Sequence, residues 1–148
     1  KIQILSVISD IIRPIRTITT KYKCNGITAA GNREMVVNGD SGNNKSHWCV
    51  INTRGDVKCT YHYDSPYHTK TCIAVNNMKT RVYISVDHMN SLVCFDMDGS
   101  KQFTYSTGSL RGPRGVAVDR YDNIYVIIIE YRSSNIHQLS PDGSVLQV

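Results

Sequence analysis

Apolar and polar residues alternate over short stretches of this chain, and the alternation returns at a fixed interval. Three polar turns mark the interval, Arg54-Gly55, Asp98-Gly99 and Asp142-Gly143, whose glycines fall 44 residues apart, from 55 to 99 to 143. Four residues before each glycine stand Ile51, Phe95 and Leu139, and seven before stand Trp48, Leu92 and Ile136. Counting back the same interval from Gly55 reaches Ile11, where the two offsets land on Val7 and Ile4. The glycine is missing there but the apolar columns persist.

The first half of each interval repeats as well. "GITAA" (26–30), "CIAVN" (72–76) and "GVAVD" (115–119) align Ile27, Ile73 and Val116 in one column, with Ala29, Val75 and Val118 two residues later. Alternation at period two with small and β-branched residues predicts a buried strand. "MVV" (35–37), "VYI" (82–84) and "IYV" (124–126) follow after polar turns such as "DRYDN", and predict a second strand. Four strands are expected per interval, over 26–30, 34–38, 47–52 and 57–62 in the first, and no long helix is indicated.

Four short strands every 44 residues with Gly/Asp/Asn turns is the pattern of a β-propeller blade. The expectation is an all-β chain, a partial β-propeller of about three and a half four-stranded blades. Residues 1–19 would be the tail of an earlier blade, and 20–64, 65–108 and 109–148 the three blades that follow. A β-sandwich is the alternative, but it would not require the same columns at each interval.

"LRGPRGVAVDRYDNIYV" followed by "SSNIHQLSPDGSVLQV" resembles an NHL repeat, as found in the propeller at the C-terminal end of tripartite-motif (TRIM-NHL) proteins. The resemblance rests on Gly112-Pro113, on 115–119, on Asn123-Ile124-Tyr125-Val126, on Asn135-Ile136 and on Asp142-Gly143. The middle blade fits in outline, and the first more loosely. Asp40 and Asp87 end the second strand of their blades, yet the matching position holds Ile129, followed by Glu130. The resemblance implies a propeller of about six blades, so the chain reads as a fragment, a truncated product or half of an assembled ring, since a partial ring leaves edges open. It also implies RING, B-box and coiled-coil segments upstream in a ubiquitin ligase, with the propeller selecting the substrate. None of those patterns lies in these 148 residues.

Composition narrows the setting. Net charge is +5, which favours an acidic protein, RNA or anionic lipid as partner. No apolar run approaches the length of a membrane span, and "KIQILSVISDII" carries Asp10 without a cleavage site, so neither signal peptide nor membrane partner is expected. The chain begins with Lys1 rather than Met. Five scattered cysteines, 24, 49, 59, 72 and 94, read as buried free thiols and a cytoplasmic setting. The glycosylation pattern Asn44-Lys45-Ser46 does not outweigh them.

Chemistry is sparse. Cys59-x2-His62 and His68-x3-Cys72 imitate zinc spacing, but alternation turns Cys59 and His62 to opposite faces, so no metal site is expected. The Arg54-Gly55-Asp56 triplet matches an adhesion motif, although the hairpin turn accounts for its glycine. No Ser-His-Asp set, GxSxG elbow, phosphate loop or HExxH helix is found, so no catalytic residue or cofactor is expected. A metal-dependent propeller enzyme is the remote alternative.

What remains is a surface. Loops joining one blade to the next share a rim with those joining second and third strands. Lys45, His62, Tyr67, His68, Lys70, His88, Arg111, Arg114, Tyr131 and Arg132 are expected on that rim. Cationic and aromatic groups together suit protein recognition, here a partner protein or ubiquitination substrate. They also suit single-stranded RNA, through phosphate neutralisation and base stacking.

Overall fold

The computed structural model describes residues 1–8, 11–21, 23–42, 45–65, 70–128 and 135–148. Among them are fourteen strands, one 3-10 turn at Asp87–Met89 and no α-helix. Strands β1 (Ile2–Ile8) and β2 (Ile11–Ile18) form a hairpin. Three antiparallel sheets of four strands follow, each built in chain order. Blade 1 holds β3 (Lys23–Gly31), β4 (Glu34–Gly42), β5 (Lys45–Asn52) and β6 (Val57–Asp64). Blade 2 holds β7 (Thr71–Val75), β8 (Arg81–Val86), β9 (Ser91–Asp96) and β10 (Lys101–Tyr105). Blade 3 holds β11 (Pro113–Val118), β12 (Ile124–Ile128), β13 (Ile136–Leu139) and β14 (Val145–Gln147). The first strands β3, β7 and β11 lie side by side, and the blades pack face to face. The chain is part of a β-propeller, as the repeat predicts.

Alternation sends each strand's side chains to two different interfaces. On β8, Val82, Ile84 and Val86 enter the core shared with blade 1, where Trp48, Val36 and Val50 meet them. Tyr83 points the other way, into the core shared with blade 3, beside Leu92, Ile124, Val126 and Leu139. Blade 2 is thus buried on both faces, which is why β8 and β9 read as nearly unbroken apolar runs. The column residues Ile51, Phe95 and Leu139 are all buried. Trp48 and Leu92 are fully covered, whereas their column mate Ile136 is 55% exposed. Ile27 is likewise 49% exposed while its mate Ile73 is buried. Ile27 lies on the outward face of the first blade and Ile136 on that of the last, so neither meets a neighbouring sheet among the described residues.

The turns between third and fourth strands are three-residue loops closed by a glycine at positive φ. Gly99 N–H donates to Asp96 O at 2.9 Å and Gly143 N–H to Ser140 O at 2.9 Å, with φ near 90° at both. Gly55, φ 99°, closes the equivalent turn, so Arg54-Gly55-Asp56 is a hairpin feature, as expected.

Polar contacts latch the blades together. Asn38 Nδ2 on β4 donates to Thr71 Oγ1 on β7 at 2.8 Å, out of solvent. Asn77, in the β7–β8 turn, donates its N–H and Nδ2 to Asp122 Oδ1 at 2.8 and 2.7 Å. Both ties cross from one blade to the next.

Candidate basic cavity at the channel mouth

Each first strand begins at the same end of the molecule, and cations begin them. Lys23 opens β3, Lys70 immediately precedes β7, and Arg114 is the second residue of β11. Together they line one cavity of about 480 Å³. Its remaining wall is Cys24 and Asn25 of β3, Thr71 and Cys72 of β7, and Asp40 near the end of β4. Three successive blades therefore contribute one cation each, against a single carboxylate in the wall.

Local folding places these groups. Lys23 pairs with Asp40 across β3 and β4, and Asp87 N–H donates to Lys70 O at 3.4 Å. The two lysines hold equivalent places, each opposite an aspartate, Asp40 near the end of β4 and Asp87 just after β8. A bulge between Cys24 and Gly26 shifts Lys23 by one residue relative to Lys70. That shift hides Lys23 from a fixed-interval reading. Neither lysine ammonium has an ion-pair partner among the described residues.

Arg114 is held from blade 2. Its Nε lies 3.3 Å from Asp87 Oδ2, and the aspartate side chain is only 12% exposed. Gly112, φ 57°, passes so close that an added Cβ would sit 3.1 Å from Asp87 Oδ1. Gly112 N–H also donates to Asn90 Oδ1 at 2.8 Å, and Ser106 Oγ donates to Asn90 O at 3.1 Å. The β8–β9 turn thereby fixes the connection that leads into β11. Cys72 completes the support, its thiol donating to Arg114 O at 2.7 Å. Burial pushes the Cys72 thiol upward, partly offset by Ser85, so it stays a neutral donor.

The other expected rim residues are more dispersed. Lys45 starts β5, opposite Asp64, and His88 lies exposed in the 3-10 turn. Arg111 is exposed in the connection before β11, its Nε donating to Gly108 O at 3.4 Å. His62 is on the outer strand β6, facing its cross-strand neighbour His47 at 6.2 Å between ring centroids. Of the ten, the cavity gathers Lys70 and Arg114. Tyr67, His68, Tyr131 and Arg132, and the departure at Ile129 and Glu130, lie outside the described residues. Lys23 and Asp40 complete a site that rim-loop reasoning did not assemble.

A second cavity, of about 360 Å³, lies between the segment 18–21 and the outward face of blade 1, with Val37, His47, Cys49 and Ile51 in its wall. The cysteines all lie on strands and none is in a disulfide; Cys94 is buried, and 24, 49, 59 and 72 are half-buried rather than fully enclosed. Among the described residues no three His, Cys, Asp or Glu side chains converge on a metal-sized point. Among the described residues no helix is long and apolar enough to cross a membrane.

No sequence-family pattern matches this chain, and no curated protein matches it. Solved structures do. Hydrazine synthase of Kuenenia stuttgartiensis superposes with a TM-score of 0.71 at 12% identity, over 98% of this chain and 42% of that one. A catalytically inactive variant of virginiamycin B lyase from Staphylococcus aureus, in a structure with quinupristin, gives 0.63 at 15% identity, over 97% and 47%. A protein of unknown function from Bacteroides caccae gives 0.59 at 16%, over 78% and 40%. The chain spans less than half the length of each, and identities this low carry the propeller fold alone.

Proposed function

We propose that this chain is a recognition module without catalysis of its own, part of an NHL-type propeller like those that select substrates for tripartite-motif ubiquitin ligases. It would engage a protein partner, in the cytoplasm, through the rim where the first strands begin. One observation carries the reading: Lys23, Lys70 and Arg114, from three consecutive blades, share the wall of a single cavity. A flat, solvated rim would scatter its cations. Arg114 is moreover oriented by Asp87, and a pre-ordered arginine loses little freedom on binding.

The test uses the full chain as bait after nuclease treatment. A partner retained by the parent should be lost when Lys70 and Arg111 are both changed to glutamate, and kept when Lys101, at the opposite end of blade 2, is changed instead. Equal loss from both variants, or from neither, overturns the reading.

Single-stranded RNA is the second reading, favoured by the net charge of +5. Filter binding would then weaken steeply with salt, and replacing Arg111 and Arg114 by alanine would lower affinity.

A further inference from the structure

We infer that the cavity at the first-strand mouth takes the side-chain carboxylate of a single glutamate or aspartate in an extended segment of a partner protein. The inference rests on the recognition reading above and specifies its ligand. At about 480 Å³ the space suits a side chain with its flanking backbone rather than a folded surface.

The chemistry of the wall chooses the ligand. Lys23, Lys70 and Arg114 supply positive charge from three blades. Asp87 takes Arg114 by its Nε, leaving the terminal amino groups of the guanidinium as a pair of donors suited to a carboxylate. Asn25, exposed on β3, adds a neutral polar group to the cavity wall. Asp40 in the same wall sets an upper limit on ligand charge. Together with Asp87, which pairs with Arg114, it leaves the three cations a net attraction for about one negative charge and penalises a denser anion.

A nucleic acid fits this wall less well. Sequence-tolerant binding of single strands uses aromatic platforms on which bases stack. Among the described residues the cavity wall contains no aromatic side chain.

The experiment uses the full chain and two fluorescein-labelled, C-terminally amidated octapeptides of glycine and serine, one with a central glutamate and one with glutamine there. The glutamate peptide should bind more tightly by about tenfold, the scale of one charge-assisted contact set. K23A combined with K70A should remove that difference, with circular dichroism unchanged because both side chains are exposed. Equal binding of the two peptides to the parent overturns the inference, and this comparison needs no variant. A single-stranded RNA that binds the parent and is lost with K23A and K70A, while neither peptide binds, overturns it in favour of nucleic acid. If a natural partner depends on Lys70 and Arg111 but the peptides are not distinguished, the recognition reading stands and the carboxylate inference falls.

Discussion

The ring of Phe103 occupies the space that a side chain on Gly143 would need: a Cβ there would meet Phe103 Cε2 at 2.8 Å. The relationship recurs. Tyr61 of β6 lies over Gly99, and Ile18 of β2 lies over Gly55, whose Cβ would meet Ile18 Cγ2 at 3.0 Å. In each case the outermost strand of one sheet rests on the turn glycine of the next. Ile18 of the β1–β2 hairpin thus takes the place over Gly55 that Tyr61 takes over Gly99, although Ile18 alone of β2 is buried. Each glycine answers two demands at once, a positive φ and an absent side chain. Gly99→Ala should destabilise the chain by about 2–4 kcal/mol, through the backbone and the displaced Tyr61 ring together. Gly108→Ala, with nothing within 4 Å, should stay within about 0.5 kcal/mol of the parent. Urea denaturation of both variants reads the difference directly.

This relationship explains why the repeat was so legible in the sequence. Gly55, Gly99 and Gly143 are held to their interval by a local turn and a long-range contact, so both constraints print the same residue. Apolar columns were legible for the same reason, since strand alternation assigns each position to one interface. The cavity was only half legible. Lys70 and Arg114 followed from loop register, but the bulge after Cys24 moved Lys23 off the column. Asp87's hold on Arg114 joins two blades, and nothing local in the chain announces it.

The Asp87–Arg114 pair links site to scaffold, and it makes a separable prediction. Because Asp87 is mostly enclosed, Asp87→Ala should cost about 1–2 kcal/mol of stability. It should also weaken the glutamate peptide, even though it removes a negative charge beside the cavity. Simple electrostatics predicts the opposite sign. Tighter peptide binding by Asp87→Ala would show that charge, rather than orientation of Arg114, governs the site.

Two histidines should make the fold sensitive to mild acid. His137 is fully buried, its Nδ1 2.8 Å from the phenolic oxygen of Tyr105, and its Nε2 has no hydrogen-bond partner among the described residues. Burial lowers its pKa. His47 is lowered by burial and by His62, with Asp40 partly opposing. Both therefore stay neutral to a lower pH in the folded chain than in the unfolded chain, which takes up protons below about pH 6.5. Stability present above that value is therefore lost as pH falls toward the folded pKa, by at most about 1.4 kcal/mol per pH unit for each histidine. Asp98 and Asp142, held below the usual range by hydrogen bonds from Ser100 and from Ser140 and Ser144, act only in stronger acid. Urea midpoints between about pH 7.5 and 5.5 should fall, and more shallowly in His137→Gln. A pH-independent midpoint would contradict the buried neutral imidazoles.

Thiol reactivity should report the blade interfaces. Cys94 is fully buried between blades 2 and 3, and burial pushes its pKa to about 12. Cys49, facing the outward cavity of blade 1, is raised to about 11, first by burial and then by Cys24 and Cys59. The thiolate is the nucleophile, so Cys94 should be alkylated last by iodoacetamide at about pH 8.5, and Cys49 late. Peptide mapping over time gives the order, and urea should abolish it. Early modification of Cys94 in the folded chain would mean that blades 2 and 3 separate.

The repeat column of Trp48, Leu92 and Ile136 offers the sharpest contrast between what a pattern assigns and what an environment is worth. Leu92 is fully buried against blade 3, while Ile136, at the same place in its own blade, is 55% exposed. Burial energy depends on apolar area taken from water, and a truncated core side chain also leaves a cavity. Leu92→Ala should therefore cost about 2–5 kcal/mol, and Ile136→Ala less than about 0.5 kcal/mol. Ile27→Ala, on the outward face of the first blade, should resemble Ile136→Ala. A cost at Ile136 or Ile27 approaching that at Leu92 would mean that these outward faces are covered in solution, and the loss should then depend on protein concentration if a second copy covers them.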